Sequence, residues 1–180
     1  MSTSSLRNGS GSGRSFSMAP MSGMILGLTV ATLALPLLFA GAALYPAARG
    51  LWWLVGFLVV VYASVWLWWR PQRFELSETQ LRLCFPLRRI VVHRGDLETA
   101  DLLDGNAFRA RLGFAVRIGA GGLWGGFGWL WTRRLGMVEF YISRTEDLVL
   151  IARRQGRPLL LSPDRPHELL RALALPRSSP

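Results

Sequence analysis

The chain has 180 residues, 51% of them hydrophobic, and a net charge of +10 carried by arginine alone against eleven acids. That leaves room for one domain of about 100 residues beside a long apolar block. The single cysteine, Cys84, excludes an internal disulfide, and with only His93 and His167 beside it no metal-ligand spacing can be assembled.

Charge is unevenly spread. Residues 1–69 hold three arginines and no acid, whereas residues 70–180 hold eighteen arginines and all eleven acids. A basic polar part suits an anionic membrane surface or nucleic acid. Its arginines are scattered and no helix carries a basic stripe, so nucleic acid is not expected as a partner.

The Ser- and Gly-rich residues 1–20 predict a disordered tail. Residues 21–70 predict a transmembrane hairpin with spans at 24–45 and 51–69, uncharged apart from Arg49 in the break. Twenty-two residues from Met24 to Tyr45 make a helix of roughly 33 Å, and nineteen from Leu51 to Trp69 one of roughly 28 Å, against a hydrocarbon core of about 30 Å. Pro36 falls inside the first span, where it frees a backbone carbonyl and favours a kink. The linker Pro46–Gly50 is short enough to force antiparallel neighbours. Tyr45, Trp52, Trp53, Trp66, Trp68, Trp69 and Arg70 mark the ends as an interfacial belt. A signal peptide is the competing reading of the first run, but that run is too long and a second span follows at once. Arg7, Arg14, Arg70 and Arg73 flank the hairpin while Arg49 stands alone in its turn. The positive-inside rule therefore puts both termini in the cytoplasm, as in a two-pass inner-membrane protein. Gly23 and Gly27 form a small-xxx-small pair, a spacing that lets another helix approach closely.

Residues 71–176 predict a small antiparallel sheet or barrel of about seven strands closed by one helix, with 177–180 a short tail, an α+β chain as a whole. Alternation places strands at 72–76, 81–85, 87–92, 97–102, 136–143, 148–153 and 158–162, with looser alternation over Phe108–Ile118 after a turn at Asp104-Gly105-Asn106. Asp164 and Pro166 signal a helix start, the stripe Leu169, Leu170, Ala172 and Leu173 follows, and Pro176 stops it.

No catalytic constellation stands out. The chain is expected to be no enzyme, to hold no cofactor or metal and to have no catalytic residue. The acidic cluster Asp96, Glu98, Asp101 and Asp104 matches no calcium loop and reads as a solvated strand face. Gly119–Trp131 packs six glycines and three tryptophans into thirteen residues. A G-x-G-x-x-G phosphate loop would need glycine at 124 or 131, where tryptophans stand, and there is no lysine for a G-K-S/T loop. The stretch is expected to be a flexible loop. Its Trp124, Phe127, Trp129 and Trp131, with Arg133 and Arg134 beside them, either rest in the membrane interface near the hairpin or pack on the domain itself.

Two spans followed by RFELSETQLRL (from Arg73), RRIVVHRGDLETADLL (from Arg88), GLWGGFGWLWTRRLGMVEFYIS (from Gly122) and DLVLIARRQGRPLLLSPDRPHELLRAL (from Asp147) resemble the bacterial PH-like domain membrane proteins. The resemblance covers residues 70 to 175. It implies a strongly bent antiparallel sheet capped by a C-terminal helix, and a binding or assembly module. Eukaryotic PH domains that grip inositol phosphates use basic residues in the first strand–turn–strand. Here that turn is Ser77-Glu78-Thr79-Gln80, flanked at a distance by Arg73 and Arg82. The expected function is a non-enzymatic protein-interaction or assembly module at the cytoplasmic membrane face. Its partners are the lipid bilayer and a membrane or cytoplasmic protein; the alternative is anionic-headgroup sensing by the Trp-rich stretch and its arginines.

Overall fold

The computed structural model describes residues 13–174, the side chains of Asn106 and Ala120 excepted. The chain is α+β: two apolar N-terminal helices, two packed sheets and a C-terminal helix. Helix α1 runs Gly23–Ala42 and α2 Leu51–Ser64, extended to Trp69 by one π-helical turn, Val65–Trp69. Both are long and apolar enough to cross a membrane, with mean hydropathies of 2.1 and 1.9. A short 3-10 turn, Pro46–Ala48, joins them.

Pro36 stays within α1. Having no N–H, it cannot bond the Thr32 carbonyl one turn back. The Tyr62 hydroxyl of α2 donates to that carbonyl at 2.9 Å. The break that proline makes in one helix is thus closed by a side chain of the other, and the hairpin is stitched at mid-height. Nothing lies within 4 Å of where side chains at Gly23 and Gly27 would begin, so these two glycines make no close helix contact in this chain.

The first sheet has the order β1-β2-β3-β4, from β1 (Arg14–Ser17), β2 (Arg73–Leu76), β3 (Gln80–Cys84) and β4 (Arg89–His93), all antiparallel. The second has the order β5-β9-β10-β8-β7-β6, from β5 (Leu97–Leu103), β6 (Ala115–Gly121), β7 (Gly126–Thr132), β8 (Gly136–Ile142), β9 (Leu148–Arg153) and β10 (Leu159–Leu161). Strands β10 and β8 pair in parallel. Four points correct the expectation from sequence. Among the described residues of 71–176 there are nine strands rather than about seven, one pairing is parallel, and the sheets form no closed barrel.

The second point is the tail. Residues 1–12 lie outside the described residues, but Arg14–Ser17 is a strand paired to β2, with Phe16 only 1% exposed. Phe16 supplies the apolar anchor that the Ser/Gly composition concealed. Beyond β1, the buried Ser143 hydroxyl and the Ser143 and Ser162 carbonyls strap the approach to α1. Ser143 Oγ donates to the Ala19 carbonyl at 2.5 Å, Ala19 N–H donates to the Ser162 carbonyl, and Ser22 N–H donates to the Ser143 carbonyl.

Third, part of the predicted strand over Phe108–Ile118 is helix α3 (Gly105–Leu112). Asp104 caps it by accepting from Ala107 N–H at 2.7 Å, and Gly113 at φ 67° ends it. The apolar positions 108 and 112 fit a helix as well as a strand. Fourth, Gly119–Trp131 is no flexible loop but the ends of β6 and β7 around a tight turn. Gly119 and Gly128 face each other in register. A Cβ on Gly119 would fall 2.3 Å from the Phe127 carbonyl oxygen, and one on Gly128 2.6 Å from that of Ile118, so only glycines let these strands approach.

One core lies between the sheets, built on Phe16, Phe74, Leu81, Leu83, Phe127, Ile151 and Leu161. Helix α4 (Pro166–Leu173) closes it with Leu169 and Leu173. Its last carbonyls, Ala172 and Leu173, accept from the Arg94 guanidinium at 2.8 and 2.7 Å, a cation where the helix dipole is negative. A second core, with Leu112, Val138, Phe140 and Leu160, fills the space between α3 and the other face of the six-stranded sheet.

Candidate interaction surface and its junction with the hairpin

The aromatic run was singled out in the sequence as one unit. The structure divides it. The turn between β6 and β7 docks on the helices. Thr29, in the second turn of α1, is buried; its hydroxyl accepts from Trp124 N–H at 2.9 Å and lies 3.0 Å from the Gly122 carbonyl and 2.8 Å from that of Ile25. Trp124 itself takes a left-handed backbone, φ 57°, unusual for a bulky residue. Its ring meets Trp66 edge-on at 4.8 Å between centroids.

Trp66 and Trp69, three residues apart in the π turn that ends α2, both meet aromatic rings of the domain. The Leu67 carbonyl has no helical partner, because the residue four on is Pro71, past the end of the helix; Leu87 N–H of the β3–β4 turn donates to it at 3.3 Å. Arg70 lays its guanidinium over the Trp66 ring at 4.3 Å, and Arg88 lies over Phe85 at 4.4 Å. Burial pulls Arg70 below its ordinary value, although a guanidinium stays charged. Burial likewise pushes the Cys84 thiol and the Tyr141 phenol up, which keeps both neutral inside the core.

Phe127 is wholly buried in the core between the sheets. Trp129 and Trp131 are not. They lie on the same face of β7 as Phe127, opposite Ile118 and Val116 of β6. Trp129, Trp131, Ile118 and Val116 take no part in the core between the sheets, so the face overhangs it. Trp129 is 37% exposed, Val116 43%, Trp131 44% and Ile118 47%. Among the described residues, strand β6 is also the edge of its sheet, with one side of its backbone unpaired along seven residues. Trp129 is touched from the hairpin side by Trp69 at 5.7 Å and capped by Arg157 at 5.9 Å.

Arg133 and Arg134 sit in the β7–β8 turn, at the opposite end of β7 from Trp124, roughly 20 Å away along a seven-residue strand. They are therefore not grouped with the docked turn; Arg134 instead donates to the Ala110 carbonyl of α3. Of the expected belt, Tyr45, Trp52 and Trp53 are exposed at the far end of the hairpin and Trp68 at the near end. Trp69 packs onto the core of the domain, whereas Arg70 folds back over the Trp66 ring.

Two features escaped the sequence. One is the Thr29 clamp, a threonine in an apolar run. The other surrounds the first strand–turn–strand, where Arg14, Arg94 and Arg171 from distant segments line a cleft of about 240 Å³ beside Ser77 and Glu78. Among the described residues, no three His, Cys, Asp or Glu side chains come together as metal ligands do. Compared with family models, curated proteins and solved structures, the chain finds no match.

Proposed function

We propose that this is a two-pass protein of the inner membrane, both termini cytoplasmic, whose PH-like domain is a non-enzymatic module that binds a protein partner. The arginines flanking the hairpin, against the single Arg49 in its turn, support that orientation. One observation carries the functional reading: the apolar overhang of Val116, Ile118, Trp129 and Trp131 on an open sheet edge. A contiguous apolar patch with large aromatic rings beside unpaired backbone groups is the composition of a protein contact, and a liability if left bare. The docked turn and the strap at Ser143 hold that patch at a fixed height beside α2.

The test is electrophoresis of native membranes under non-denaturing conditions. The natural chain is expected to migrate in an assembly larger than itself, and Ile118→Glu with Trp131→Glu to release it without unfolding it. Unchanged migration of the double variant would refute the reading. A larger assembly that contains lipid but no second protein would turn it to the second reading, headgroup sensing by Trp129 and Trp131.

A further inference from the structure

On the other face of the same sheet lies a groove of about 890 Å³, bounded by α3, the start of β6 and the turn between β8 and β9. That is the size of a site for a small organic ligand, about 300–1,000 Å³. Its walls are apolar, with Phe108, Phe114, Ile142 and Leu148, and its charges are Arg109, Arg117 and Glu146. None of these three charges forms an ion pair among the described residues.

Arg117 is held in a particular direction. Its guanidinium lies over the Phe140 ring at 5.4 Å from the centroid and continues along the strand to Gly121. A Cβ on Gly121 would come within 2.8 Å of the guanidinium nitrogen, so the missing side chain there makes room for the charge. The next residue, Gly122, lies against Leu28 of α1. Across the groove, Thr145 and Glu146 follow closely on Ser143, which bonds Ser22 at the start of α1. Both sides of this end of the groove therefore sit at the first turns of α1, where headgroups lie if the hairpin spans a bilayer.

We infer that the groove takes a membrane phospholipid, its phosphodiester on Arg117 and Arg109 and an acyl chain along Phe108, Phe114 and Leu148. The lining carries two positive charges against one negative. That suits a singly charged phosphodiester, whereas Glu146 repels a multiply charged free phosphate. The inference rests on the spanning hairpin but not on the overhang.

The test uses the full chain in phosphatidylcholine nanodiscs containing phosphatidylglycerol with a photoactivatable acyl chain, the labelled peptides being mapped by mass spectrometry. Label on α1 and α2 reports that the hairpin spans, independently of the groove. Residues 105–117 and 142–148 are expected to be labelled too. Arg109→Gln with Arg117→Gln should cut that label about tenfold while label on the helices stays constant. Gly121→Ala, which displaces the guanidinium without removing its charge, should cut it by a smaller factor. Helices labelled but groove bare, or groove label equal in the double variant, overturns the assignment. Loss of groove label to millimolar inorganic phosphate also overturns it, since the occupant would then be a soluble anion.

Discussion

Trp124 and Phe127 lie within seven residues of Trp129 and Trp131, in one glycine-rich run, and meet opposite fates. The first pair is consumed: Trp124 against Trp66, Phe127 in the core. The second pair is left on a face outside the core between the sheets. Phe127, Trp129 and Trp131 even share one side of the same strand. What separates them is coverage: the end of α2 and the core between the sheets take in Trp124 and Phe127 and leave much of Trp129 and Trp131 bare. Aromatic content alone does not mark a surface; the edge of the packing around it does.

The largest effect should come from setting one ring against another. Phe127→Ala empties a fully buried site and is expected to cost about 3–5 kcal/mol of stability, whereas Trp131→Ala should cost less than about 1 kcal/mol. Thermal unfolding of the full chain in detergent compares them; equal losses would break the distinction. Next comes the clamp. Thr29→Val keeps the shape but leaves Trp124 N–H without its partner, at a cost of about 1–3 kcal/mol. Hydrogen exchange of residues 122–125 should rise sharply while that of Trp129 and Trp131 stays as it was. The smallest effect belongs to the hairpin stitch. Tyr62→Phe removes the donor to the Thr32 carbonyl and should cost about 0.6–1.7 kcal/mol, read by unfolding in the same detergent. The overhang should be indifferent to it.

These contrasts also show what could be read from residues alone. The two helices were legible from two long uncharged runs, and α4 from Pro166 and the leucine stripe, although Asp164 accepts only from Arg165 N–H and the helix has no side-chain cap. The Thr32–Tyr62 stitch was half legible: Pro36 announced a free carbonyl but not its donor. Strand β1 was hidden because its pairing with β2 spans the whole hairpin and leaves no local periodicity. Helix α3 was lost because Phe108 and Leu112 fit a helix and a strand alike and Ala110 between them completed a strand alternation; the Asp104 cap and Gly113 were the signals that could have found it. The β6–β7 hairpin was masked by its glycines, which read as flexibility but are there because two backbones come too close for a Cβ. The overhang could not be read at all, since a strand's alternation says which residues share a face and not how far the core extends.

The central claim is that this overhang is a protein contact. It is tested most directly by a photo-crosslinking residue placed in the full chain, in its own membrane, at Val116, at Trp131 and, as control, at Glu98 on β5, the opposite edge of the same sheet. The account predicts one discrete protein adduct shared by positions 116 and 131 and absent at 98. The same adducts at all three positions, or none but lipid at 131, would contradict it.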